Sequence, residues 1–205
     1  MMRTFVASKA TRLPDAQAAF AVRQHTALGI GPIRAYRHGV WRQSGTVTYR
    51  RHSKHSPARL WRAITDPDEI AAWMGAPASV DLRIGGNYGL DFHGNGEDGL
   101  DGIIVRVERE RRLGYVWGWS YVEWEIESAG DGCRYTFIQN GLTDRGDDEE
   151  GLPAGWHEFF ERLDDHLKGA ARTADQHAAR WKALKPYYRT QIDAVIRGDA
   201  QEAAD

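Results

Sequence analysis

A chain of 205 residues, 41% hydrophobic and 27% charged, is long enough for one domain with a real core, alone or with tails. A net charge of −2 gives no overall pull toward nucleic acid or an anionic membrane, and no apolar run approaches the ~20 residues of a membrane-spanning helix. The single cysteine, Cys133, excludes an intramolecular disulfide and a thiolate metal cluster, and fits a cytoplasmic protein.

Residues 1–44 read as a basic extension. The first 42 residues hold seven Lys or Arg against Asp15 alone, a net +6. A transit peptide is Arg-rich and also Ser-rich, and Ser8 is the only serine in those 42 residues. Residues 16–22 suit one short helix, which Gly29, Gly31 and Pro32 would prevent from growing. A nucleic-acid arm has only the charge in its favour, so the segment is read as a loosely attached tail and nucleic acid is not expected as a partner.

A domain over residues 45–169 follows. "GTVTYRR", residues 45–51, has the β-branched and aromatic content of a strand. "SPARLWRAITDPDEIAAWM", residues 56–74, then holds two helix starts. Ser56 before Pro57, and Thr65 or Asp66 before Pro67, are N-caps followed by a proline whose missing N–H is no loss at a first helical position. Leu60, Trp61 and Ile64 line one face of the first piece, and Ile70, Trp73 and Met74 one face of the second.

Alternating strands and tight turns follow from residue 79 to residue 142. "SVDLRI" runs into Gly85 and Gly86, and "NYGLDFH" puts Tyr88, Leu90 and Phe92 on one face. "LDGIIVRVERE" is a longer strand. "RRLGYVWGW" aligns Leu113, Tyr115, Trp117 and Trp119, and "YVEWEIE" sets Val122, Trp124 and Ile126 opposite three glutamates. One dry and one wet face describe an antiparallel sheet. "GDG" turns the chain into "CRYTFIQ", the last strand. After an acidic loop, Trp156, Phe160, Leu163 and Leu167 form the apolar stripe of a long helix. Residues 170–205 read as a helical tail with Trp181 and Leu184, a break at Pro186, then Tyr188, Ile192 and Val195.

The chemical motifs are few. "GNGEDG" matches a dinucleotide fingerprint in letters only, because a strand and not a helix follows it. The eight histidines form no metal-binding spacing, and no cofactor is implied. Cys133 begins a strand after a tight turn with no recognisable catalytic base partner and reads as a packing residue, as Trp61 and Trp124 do. Asp91 and His93 alternate with Leu90 and Phe92, which directs them to solvent.

Taken together, "HSPARLWRAITDPDEIAAWMG", "VDLRIGGNYGLDF", "DGIIVRVERERRLGYVW" and "GWHEFFERLDDHL" resemble the SRPBCC, or START-like, superfamily. Within it they are most similar to bacterial domains related to the activator of heat-shock-protein-90 ATPase. The resemblance covers residues 47–168. It implies an α+β helix-grip fold, a curved antiparallel sheet of six or seven strands around a long C-terminal helix, with two short helices after the first strand. It also implies a cleft between sheet and long helix. The leading expectation is a small, mostly apolar ligand held there without catalysis, with Trp73, Met74, Tyr88, Phe92, Trp117, Trp119, Trp156 and Phe160 as walls. Two alternatives stay open. One is an aromatase/cyclase-like or hydrolase-like enzyme that turns Asp91, His93 or Asp101 inward. The other is a co-chaperone-like interaction module using Tyr187, Tyr188 and Ile192, and a homodimer through the tail belongs with it.

Overall fold

The computed structural model describes residues 4–5, 28–29, 33–37, 40–92, 100–117, 120–143 and 151–197. Strands β1 (Thr4–Phe5) and β2 (Leu28–Gly29) pair with each other, antiparallel. The main sheet contains β3 (Ile33–Arg37), β4 (Val40–Ser53), β5 (Ala78–Val80), β6 (Asn87–Leu90), β7 (Leu100–Glu108), β8 (Arg112–Trp117), β9 (Ser120–Ala129) and β10 (Gly132–Thr143). Its order is β3-β4-β10-β9-β8-β7-β6-β5, antiparallel throughout. The seven strands from β4 onward are the expected helix-grip sheet, and β3 adds an eighth at one edge. The boundary expected at residue 44 therefore falls inside β4, whose pairing with β3 runs back to Ile33.

Helices α1 (Pro57–Thr65) and α2 (Pro67–Met74) break where the prolines and caps direct. Ser56 accepts from the Arg59 amide, and Asp66 from the Asp68 and Glu69 amides. The break also leaves the last carbonyls of α1 without helical partners. Arg62 O keeps the Asp66 amide of the cap, and the next two find other donors: Ala63 O the Trp73 indole and Ile64 O the Tyr88 hydroxyl. The interruption thus ties α1 to α2 and to the sheet.

Helix α3 (Gly151–Leu167) lies on the inner sheet face with Trp156, Phe160, Leu163 and Leu167 buried as the stripe requires. Arg51 on β4 pairs with Asp164 at 2.7 Å, and Glu69 of α2 accepts from Arg59, Arg62 and His166, which joins α1, α2 and α3 at one corner. Trp61, Trp124 and Cys133 are buried. Burial pushes the Cys133 thiol up to about 11, which keeps it protonated and consistent with a packing role.

Three local expectations differ from the structure. The strand expected from "SVDLRI" stops at Val80. Residues 81–86 form a turn instead, and Leu82 and Ile84 are exposed. Gly86 allows that turn, since a Cβ there would lie 2.0 Å from the Asp81 carbonyl oxygen. Strand β6 ends at Leu90, so Phe92 lies beyond it and is 42% exposed. Pro186 does not break the tail: α4 (Ala174–Arg197) continues through it. Proline removes one helical N–H, and here it sits on an exposed side, where water can solvate the carbonyl left open.

Candidate functional site

The space between the sheet and the helices is occupied by rings. Tyr88 of β6 stacks on Tyr115 of β8 at 4.2 Å and 9°. Trp117 lies nearly parallel to Trp156 at 6.3 Å, and Trp156 to Phe160 at 5.7 Å. Trp124 meets Trp73, Phe137 and Phe160 edge to face. Opposite Trp117 in the ladder stands Gly102, where a Cβ would come 2.3 Å from the indole, so only glycine lets that ring lie down on β7.

The polar ends of these rings are held by the protein. The indole N–H of Trp117 donates to the Tyr88 carbonyl at 2.8 Å and that of Trp156 to Gln139 Oε1 at 2.5 Å, while Trp73 uses Ala63 O at 2.9 Å. Burial raises the Tyr88 phenol well above its ordinary value, so it stays a neutral donor. A guest among these rings therefore meets apolar faces, with the indole N–H groups of Trp73, Trp117 and Trp156 already engaged.

Six of the eight residues expected to line the cleft, Trp73, Met74, Tyr88, Trp117, Trp156 and Phe160, converge in this assembly and are at most 8% exposed. Phe92 is 42% exposed and packs at its edge on Phe159, and Trp119 lies outside the described residues. Phe159 escaped the sequence reading because it flanks the Trp156–Phe160 stripe. It packs on Phe92 at 6.1 Å, on Trp156 at 5.8 Å and on Trp73 at 6.5 Å. Arg162 was also missed, and its guanidinium lies 5.1 Å over the Phe159 ring. Asp101 is exposed and above Gly89 on the outer sheet face, away from the rings. Asp91 follows β6 and is half-buried, with its amide on the Pro77 carbonyl, and His93 lies outside the described residues. Among the described residues no three His, Cys, Asp or Glu side chains converge as metal ligands.

The opposite face of α3 is buried under α4. His157, Glu158 and Glu161 are 2–9% exposed there. Glu161 pairs with Arg172 at 2.9 Å, Arg180 at 2.6 Å and His157 at 3.3 Å, while Glu158 pairs with Arg162 and His177. Tyr188, a tail residue named for a partner surface, is buried with Leu184 against its own domain, and the Tyr188 hydroxyl meets His157 Nδ1 at 2.8 Å. Ile192 has no described side chain.

A groove of about 660 Å³ opens at the far end of the sheet, between the start of α1, the β7–β8 turn and β9. Its walls carry equal numbers of arginines and glutamates, and Arg112–Glu125 and Arg109–Glu110 pair across or along it. Charges so matched give no preference for an ion of either sign, and the aromatic end of the cleft remains the candidate site.

Residues 54–168 match the family described as activator of Hsp90 ATPase homolog 1-like protein. No curated protein matches the chain. Among solved structures, a conserved protein of unknown function from Enterococcus faecalis is 14% identical, with 79% of this chain covering 90% of that one at a TM-score of 0.61. Protein MLL2253 from Mesorhizobium loti is 25% identical over 62% of this chain and 99% of its own, at 0.55. CalU16 from Micromonospora echinospora, solved in solution, is 21% identical over 83% of this chain and 97% of its own, at 0.58. These likenesses show the helix-grip fold. Helix α4 begins beyond the family-matched segment.

Proposed function

The chain belongs to the activator of Hsp90 ATPase homolog 1-like family, and from that premise we propose that it binds a small, mostly apolar, ring-containing molecule at the aromatic end of the cleft, without chemistry of its own. The observation that carries this reading is Phe92. Its ring is 42% exposed yet packs on Phe159, and it sits on backbone outside any strand or helix. The tryptophans behind it are anchored by hydrogen bonds, whereas the Phe92 phenyl ring has no hydrogen-bonding group to hold it. Its departure would uncover Phe159 and the Trp156 ring beyond.

Energetics favour such a replaceable ring over a standing hole. At about 24 cal/mol per Å³, a void of ~150 Å³ would cost roughly 4 kcal/mol. A ring of the protein that yields to a ring of the guest avoids that cost in both states.

Fluorescence titration with N-phenyl-1-naphthylamine, a neutral apolar probe, tests the reading. Saturable one-to-one binding is expected, at least tenfold weaker in Phe159→Ala. Absence of saturable binding by the wild-type chain defeats it.

A further inference from the structure

We propose that the guest carries a carboxylate or comparable oxyanion at one end and that Arg162 receives it; this rests on the cleft reading above. Arg162 follows Phe159 by three positions on α3, so its guanidinium lies over the same ring that Phe92 covers. Nε donates to both Glu158 oxygens, at 2.8 and 2.7 Å, and Nη1 reaches the Met74 carbonyl at 3.4 Å. Those contacts neutralise Glu158 and close the C-terminus of α2. Nη2 has no partner among the described residues, and the side chain keeps 20% of its surface.

The arginine is thus locked in place with one edge of its fork left over. A guanidinium already ordered loses little freedom on taking an anion, which makes it a better receptor than a free surface arginine. Close approach to the mouth is allowed by Gly75, where even a Cβ would come within 3.0 Å of Nη1. The guanidinium over Phe159 directs the acid end to α3 and the apolar end toward Phe92 and Phe159. Glu158, the lower support of Arg162, is itself held by His177 of α4. The tail helix therefore positions the receptor without touching the guest.

Paired titrations of the full chain at pH 7 with 2-naphthoate and its neutral isostere 2-naphthamide separate charge recognition from ring burial. Wild type should bind the acid about tenfold tighter, the scale of one charge-assisted hydrogen bond. Arg162→Met should remove that preference, with the acid losing about tenfold more affinity than the amide, and His177→Ala should reduce it by a few-fold. In the wild type alone, raising salt to about 0.5 M should weaken the acid and not the amide. Equal affinities in the wild type, or a preference that survives Arg162→Met, overturn the proposal while the cleft reading stands. Failure of both probes to bind sinks the cleft reading and this proposal with it.

Discussion

On the face of α3 turned to the sheet, Trp156, Phe160, Leu163 and Leu167 are 0–7% exposed among rings and aliphatic side chains. On the face turned to α4, His157, Glu158 and Glu161 are buried to 2–9%, but among Arg172, His177, Arg180 and Tyr188. One helix is thus buried in two physically different ways. Apolar burial is non-directional and indifferent to protonation. Burial of carboxylates holds only while each charge keeps its partner, because an unpaired buried charge costs several kcal/mol. The inner face should behave as part of the domain core, and the outer face as a docking surface sensitive to pH and to single charges.

The largest effect belongs to the inner face. Phe160→Ala removes a ring that touches Trp124, Tyr135, Phe137 and Trp156, and should cost about 3–5 kcal/mol by urea unfolding. A loss under ~1 kcal/mol would mean that face is not close-packed. Next is Glu161→Gln, which deprives Arg172 and Arg180 of their common carboxylate. Both guanidinium groups keep some solvent, 32% and 19%, so the cost should be about 2 kcal/mol and not the full buried-charge penalty. Hydrogen exchange should accelerate along α4 while β9 and β10 stay protected; equal acceleration would erase the distinction between the two faces.

Acid should act on the outer face first. Burial alone would raise the Glu161 carboxyl, but the close approach of His157 and the hydrogen bonds from Arg180 and Arg172 outweigh it and hold the group far below the ordinary value of 4.5. Burial lowers the His157 imidazole below its ordinary 6.5. Both groups bind protons more readily when unfolded. Their contribution is therefore complete above the ordinary values and drains as the pH falls below about 6.5 for His157 and about 4.5 for Glu161. The urea midpoint should drop from pH 7 to pH 4 and below, and by less in Glu161→Gln; an equal drop in both would assign the acid sensitivity elsewhere. Smaller still, Tyr188→Phe loses the bond to His157 and should cost about 1 kcal/mol. Arg134→Ala breaks a pair exposed on both sides and should leave the midpoint unmoved.

Legibility followed the same division. The two helix starts, the hairpin strands from β7 to β10 and the inner stripe of α3 could be read directly, since caps, prolines, alternation and 3.6-residue spacing each act over a few neighbouring positions. Five of the aromatics buried between sheet and helix, Trp73, Tyr88, Trp117, Trp156 and Phe160, could be named for the same reason: a large ring on an apolar face has few destinations. What they would do together could not be read, because whether indoles line a space or fill it depends on ring angles set by strands far apart in sequence. Phe159, Arg162 and Gln139 drew no attention, being ordinary residues that joined the candidate site through Phe92 in Phe159's case, Trp156, 17 positions away, in Gln139's and Met74 in Arg162's.

The amino-acid order alone determined the helix-grip architecture, the break between α1 and α2, and the apolar inner face of α3, because those features rest on local backbone preference and on the removal of apolar surface from water. Tertiary structure alone decided that α4 runs through Pro186 to cover Glu158 and Glu161, that the cleft is occupied by the chain's own rings, and that Arg162 stands over Phe159. Charges and ring orientations take their meaning from what faces them, and that is set by distant segments meeting in space.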